Sequence, residues 1–273
     1  MQLGLKASTD EDQIADRLQY HPDVFEFHLT ADDFTDTGWV HLTQVVAHVQ
    51  ATVPRVVLHH PMKWHGWRCE LCVNADVHPD LYQFVMDSSR RLVDFARATG
   101  TIALIHGGYN QKPGEPDLVG DWPNLRTAQA VVLGRLSELR SRAQGHVVFE
   151  NSMLPTFQYG VPAFEDQLLA LGLPLAYDVS HAFIVLHGDN DALIASLHHL
   201  APLVRHYHLV DSMGQTHDSL TLGTGKIDWV RVLSELNPTA SRIYEINLAD
   251  QWRCQEMLAS HQYLEGVARK IQQ

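Results

Sequence analysis

Thr101-Ile102-Ala103-Leu104-Ile105-His106-Gly107 is a short apolar run that ends on a histidine and a glycine. Its length and aliphatic content suit a buried strand better than a helix. Just before it, Leu81, Phe84, Val85, Ser88, Leu92, Phe95 and Ala96 recur at helical spacing behind Pro79. A first-turn proline is tolerated there because its missing N–H is not needed. Before that helix stands a second strand-like run, Arg55 to His60. Strand, helix and strand in this order make a βαβ unit with parallel strands.

The same alternation extends in both directions. Further strands are predicted near Leu3 to Lys6, Val24 to Leu29, His146 to Asn151, Pro174 to Asp178, Val204 to Leu209 and Arg242 to Asn247. Helices are predicted to begin near Asp10, Trp39, Pro79, Pro123, Pro162, Asp189, Ile227 and Asp250. Eight strands alternating with eight helices over 273 residues predict an α/β fold, a (β/α)8 TIM barrel formed by residues 1–273 as one domain. An open dinucleotide-binding sheet is disfavoured, because Ala7-Ser8-Thr9-Asp10 follows the first strand where a Gly-rich turn would stand. Two long connections, Pro61 to His78 and Gly107 to Trp122, have the length of functional loops.

Composition narrows the partners. A net charge of −12 disfavours nucleic acid bound across a broad face, since phosphate contacts need clustered Lys and Arg. The N-terminus is too acidic for a secretory signal, and the longest apolar tract, Leu168 to Tyr177, is broken by Gly172 and Pro174. Three cysteines form no disulfide framework, so a soluble, cytoplasmic protein with no membrane partner is expected. Cys69-Glu70-Leu71-Cys72, with only Cys254 besides, cannot complete a four-cysteine zinc site and reads as incidental. Oligomeric state leaves no trace in the sequence.

The positions of metal-capable residues are more informative. His59 ends the third predicted strand, His106 the fourth, Glu150 nearly the fifth and Asp178 the sixth; His208 nearly ends the seventh, and Glu245 lies in the eighth. A lone histidine or carboxylate at a strand end is ordinarily a hydrogen-bonded or capping residue. Six successive strands that each deliver one to the same rim are different, because parallel barrel strands converge at that mouth. Three carboxylates gathered there would repel one another without a cation, and mixed imidazole and carboxylate donors suit zinc, manganese or iron. His60 points to the opposite side of its strand from His59 and is expected to be structural.

The segments His59-His60-Pro61, His106-Gly107-Gly108, Val148-Phe149-Glu150-Asn151, Tyr177-Asp178-Val179-Ser180-His181-Ala182-Phe183, His208-Leu209-Val210-Asp211 and Leu222-Gly223-Thr224-Gly225-Lys226-Ile227, in this order, resemble the xylose isomerase-like barrel superfamily. They look most like its endonuclease IV branch, AP endonuclease family 2. That resemblance implies one ion held by His59, His106 and Glu150, and a second held by Glu150, Asp178, His208 and Glu245, with Glu150 bridging. A third site would use His181 and His217, closer to the UV-damage endonucleases, because His217 and Ser219 replace the aspartate and histidine of endonuclease IV. Two or three divalent ions are therefore expected.

Two chemistries follow. Phosphate-ester hydrolysis would use Glu150 to fix the ion pair and orient the attacking hydroxide, with His181 or His217 assisting the leaving oxygen. Sugar or sugar-phosphate isomerisation would use Glu150 and Glu245 as proton shuttles. The sugar enzymes of the superfamily generally lack the two early histidines and place an arginine after the strand-seven histidine, whereas residues 209–216 hold none. Hydrolysis of a small phosphorylated substrate is thus the first expectation, a sugar isomerase the alternative, and a non-catalytic metal- or sugar-binding module a third. Candidate substrate contacts are Lys63, Trp64, Trp67 and Arg68 in the loop after the third strand, with Lys112 and Asp211. The same tryptophans would equally serve as anchors for that loop.

Overall fold

The barrel is set by a two-residue alternation along each strand. Val24, Val57, Leu104, Val148, Ala176 and Ile243 point inward and form one apolar layer across the barrel interior. Residues two positions further on, His59, His106, Glu150, Asp178 and Glu245, occupy the next inward positions toward the strand C-termini, while Glu26 pairs in register with Val57, one step below His59. Outward neighbours such as Phe25, Leu58, Ile105, Phe149, Tyr177 and Leu209 pack in the large cluster beneath the helices. The polar layer therefore lies directly above an apolar floor.

This computed structural model describes residues 1–109 and 114–271. In chain order the elements are β1 (Gly4–Ala7), α1 (Glu11–Leu18), β2 (Val24–His28), α2 (Asp36–Gln50), β3 (Arg55–His59), β4 (Lys63–Trp64), β5 (Trp67–Arg68), α3 (Pro79–Thr99), β6 (Ile102–His106) and α4 (Leu125–Ala143). They continue with β7 (Val147–Glu150), α5 (Pro162–Leu171), β8 (Leu175–Asp178), α6 (Val179–Val185), α7 (Asn190–Leu200), β9 (Val204–Leu209), α8 (Trp229–Glu235), β10 (Ser241–Tyr244) and α9 (Gln255–Ile271). The parallel sheet runs β1-β2-β3-β6-β7-β8-β9-β10. Its last strand comes back against its first. At that seam a Cβ on Gly4 would lie 1.8 Å from the Arg242 carbonyl oxygen, so only glycine lets the two backbones approach. Together the strands make a nearly closed (β/α)8 TIM barrel. No helix among the described residues is long and apolar enough to cross a membrane.

The eight barrel strands fall where the sequence predicts them, and four local features differ from the expectation. β10 ends at Tyr244, so Glu245 lies just past the strand rather than within it, its N–H still bonded to Leu209 O at 3.3 Å. Pro123 precedes the helix start: the Asn124 side chain accepts from Thr127 N–H and caps α4. A short helix, α6, was not anticipated. Asp178 creates it by capping the chain directly at the strand end, its carboxylate accepting from His181 N–H at 2.7 Å. The connection after β3 is also no plain loop, since β4 and β5 pair as a small hairpin.

Candidate metal centre

Three histidines at the mouth have their orientation fixed by local backbone. His59 Nδ1 lies 2.9 Å from His60 O, His106 Nδ1 lies 3.2 Å from Gly108 O, and His181 Nδ1 lies 2.9 Å from Asn151 O. A nitrogen facing a carbonyl carries the hydrogen, which leaves Nε2 bare and directed away. The Nε2 atoms of His59 and His106 are 3.2 Å apart. Two lone pairs that close repel unless a cation or proton lies between them.

Glu150, fully buried at the end of β7, faces both sides of the mouth. Its Oε2 is 2.8 Å from His106 Nε2 and 3.5 Å from His59 Nε2, and its Oε1 is 3.0 Å from His208 Nδ1. His208 Nδ1 is also 2.7 Å from Glu245 Oε2. Donor atoms of His59, His106 and Glu150 converge within 4.8 Å, and so do those of Glu150, Asp178, His208 and Glu245. Both carboxylate oxygens of Glu150, Asp178 Oδ2 and His208 Nδ1 are buried without a hydrogen bond of acceptable geometry. Such orphaned groups are costly in a folded interior, and a shared set of them is what divalent ions would satisfy. The residues present fit a two-ion centre.

Electrostatics agree. Burial alone would raise the Glu150 pKa, but His106 and His208 outweigh it and hold the carboxyl well below its usual range. Glu245 is likewise opposed by burial and held low by Lys6 and His208. Burial lowers His208, yet Glu150, Glu26 and Glu245 together raise it well above the ordinary histidine value. The pocket thus favours ionised carboxylates and attracts positive charge.

Four interior residues escaped the sequence reading. Lys6 pairs with Glu245 and lies 3.3 Å from Glu26 Oε1; Glu26 Oε2 is 3.0 Å from both His206 Nε2 and His208 Nε2. His28, at the end of β2, packs its ring 5.5 Å from that of His59, and burial followed by the Lys6 charge pushes its pKa down to about 3. The signal was present as register: Val24, Glu26 and His28 alternate on one strand and His206 and His208 on another.

The remaining predicted site residues scatter. The rings of His181 and His217 lie 4.9 Å apart beside the two ion groups, although neither joins a convergent donor set among the described residues. Both line a cavity of about 150 Å³ with His59, His106, Arg68 and Glu245. Lys63, Trp64 and Trp67 do not line it. Lys63 pairs with Glu115 at 3.0 Å, Trp64 stacks on Phe84 at 5.1 Å, and Trp67 packs on His78 at 4.8 Å, so the tryptophans anchor the hairpin. Asp211 requires correction as a substrate contact. It is fully buried, and its carboxylate accepts from the N–H groups of Ser212, Gly223 and Ile227 and from Trp229 Nε1, which organises the turn after β9. Lys112 lies outside the described residues. His60 bonds to Ser88 Oγ at 2.7 Å on the outer face, as its strand position implied. Cys69 and Cys72 are buried free thiols.

No protein-family model and no curated protein matches the sequence. Solved structures do match in shape. A D-tagatose 3-epimerase-like protein superposes with a TM-score of 0.70 at 15% identity, over 100% of this chain and 98% of that one. A protein from Thermus thermophilus, soaked with zinc chloride, gives 0.68 at 18% identity over 99% of both chains. The structure named SacUVDE gives 0.61 at 13% identity, over 98% of this chain and 99% of that one. A candidate xylose isomerase from Rhodospirillum rubrum lies in the same group of matches. At these identities the likeness is one of fold: this chain and those proteins share the shape of a (β/α)8 TIM barrel.

Proposed function

We propose that this protein is a divalent-metal-dependent enzyme that hydrolyses a small phosphate ester at a dinuclear centre. The observation that carries this reading is the placement of Glu150, which turns one carboxylate oxygen to His59 and His106 and the other to His208. A carboxylate so placed can bridge two ions, and a single-ion site would leave the two early histidines without a task.

Two ions bound here would supply a water acidified toward a pKa of about 7 and positive charge for the phosphoryl oxygens. Glu150 orients the two donor groups about one point. Asn151 ties the ends of β7 and β8 together by bonds of 2.8 and 3.0 Å to the Asp178 backbone, which fixes the Asp178 carboxylate relative to Glu150. His181, with Nδ1 committed to Asn151 O, turns Nε2 away from that carbonyl, and its ring, beside His217, lines the cavity. Burial would lower its pKa, but the Asp178 and Glu150 charges outweigh burial and raise it, so a ring protonated at Nε2 as well can hand that proton to the leaving oxygen. Acidic overall charge suits a small substrate over a nucleic acid polymer.

A second reading, sugar isomerisation, has one observation in its favour. A cavity of about 310 Å³ opens beside Glu245, and its lining includes Ser8, Gln13, Asn247 and Gln251, neutral groups suited to hydroxyls, together with the charged Lys6 and Arg17. The test is an assay of phosphate monoesters and diesters and of ketoses with zinc, manganese or iron supplied. Phosphate release that disappears in the double variant His59→Ala, His106→Ala supports hydrolysis. Deuterium uptake into a ketose that survives that double substitution overturns it, and absence of both reactions favours a binding module.

A further inference from the structure

Beneath the mouth lies a layer of charged and imidazole groups that the hydrolytic reading does not use. Glu26 has no exposure and sits between the apolar floor and the metal-capable rim. A carboxylate this deep is costly unless donors surround it. Two donate to it, the Nε2 atoms of His206 and His208, each 3.0 Å from Oε2, and the Lys6 ammonium stands 3.3 Å from Oε1, which has no hydrogen bond and is compensated by that charge alone. Glu26, His206 and His208 also form a third convergent donor set, which on spacing alone resembles another ion site.

Chemistry separates this set from the other two. A cation already stands beside it, since the Lys6 ammonium contacts both Glu26 and Glu245, and a divalent ion added there would be repelled. His206 is engaged at both nitrogens, Nδ1 with Ser241 Oγ at 2.7 Å and Nε2 with Glu26. His208 is engaged with Glu26 through Nε2, whereas its Nδ1 is buried between Glu150 and Glu245 without a hydrogen bond.

We propose that Glu26 is a positioning residue: anchored by Lys6 and steadied by His206, it takes the Nε2 hydrogen of His208 and so presents the bare Nδ1 of His208 to the ion shared with Glu150, Asp178 and Glu245. The deep set holds hydrogens and no third ion. This rests on the metal-binding part of the proposed function and on none of its hydrolytic chemistry. A carboxylate behind a ligating histidine fixes the ring and makes it a stronger donor, and loss of such a partner costs on the order of 10–100-fold in metal affinity.

The test is titration of the metal-free protein with zinc alone against a competing chelator, for wild type, Glu26→Gln and Glu26→Asp, with circular dichroism confirming the fold of each. Glu26→Gln should weaken one ion by about 10–100-fold and leave the ion at His59 and His106 unchanged; Glu26→Asp, which keeps the charge, should fall between. Nitrogen-15 NMR of the zinc-loaded wild type should show His208 protonated at Nε2, which is a readout available even if Glu26→Gln does not fold. Equal affinities in wild type and Glu26→Gln, a bare or ligated Nε2 in His208, or a third zinc ion lost with Glu26 would each overturn the proposal. No substrate enters these measurements, so a failure to hydrolyse phosphate leaves it standing. A single ion in the wild type would contradict the dinuclear reading, while the affinity of that ion in Glu26→Gln would still decide the role of Glu26.

Discussion

The two sides of the barrel mouth are built in different ways. On the early side, His59 and His106 are fixed by carbonyls one and two residues away. On the late side, His208 is held by Glu26, 182 residues earlier, and Glu245 is held by Lys6, 239 residues earlier. The early ligands need only their own strand ends to face correctly. The late ligands need the barrel closed, because their supports stand on β1 and β2, across the seam from β10. One half of the candidate metal centre thus depends on a short stretch of chain and the other half on the whole fold.

Removing the early ligands should have the largest effect on chemistry. The double variant His59→Ala, His106→Ala should fold normally, bind one zinc fewer by atomic emission, and lose phosphate hydrolysis by about a thousandfold, the equivalent of several kcal/mol of charge stabilisation. A variant that retained both ions would erase the contrast between the two sides.

The closure that the late side depends on can be attacked without touching a ligand. Gly4→Ala places a Cβ against the Arg242 carbonyl, which cannot move without parting β1 from β10. The expected cost is about 3 kcal/mol in denaturant unfolding, with weaker zinc binding on the late side and no change on the early side. Uniform weakening of both ions would show that the two sides are not independent.

A smaller effect is expected behind the early side. Glu70 is buried against Tyr109 N–H in the segment that follows His106, and burial pushes its pKa up to about 8 from an ordinary carboxyl value. The folded state therefore holds a proton that the unfolded state gives up at lower pH. Its stabilisation is complete below the unfolded pKa and is lost as pH rises through about 8. Stability should fall between these limits by at most about 1.4 kcal/mol per pH unit, and Glu70→Gln should flatten that slope in urea unfolding measured across pH. An unaltered slope would show that Glu70 holds no such proton.

This contrast also explains what was legible in the sequence. Strand positions and the convergence of six metal-capable residues at strand ends could be read because the information is local: an apolar run, then a polar residue, then a turn. Lys6, Glu26 and His206 carried no such mark, since they lie inside or at the start of strands and acquire meaning only when the barrel brings β1, β2 and β9 together. Their inward register was readable, but their partners were not. Asp211 shows the opposite error, and of the two readings open for Trp64 and Trp67 their packing is that of loop anchors. Residue type and mouth-side position suggested substrate contacts, whereas stacking on Phe84 and His78 and the turn amides around Asp211 occupy them. The helix at α6 was hidden for a physical reason: Asp178 is both a strand-end carboxylate and a helix cap, and a single residue rarely announces both.

The dinuclear reading of the mouth turns on Glu150 bridging two ions, one on each side. Anomalous scattering from crystals grown with zinc decides whether it does. Two peaks should flank the Glu150 carboxylate, one against His59 and His106 and the other against Asp178, His208 and Glu245. A single peak at the late ligands, with His59 and His106 bound to nothing, would contradict the bridge.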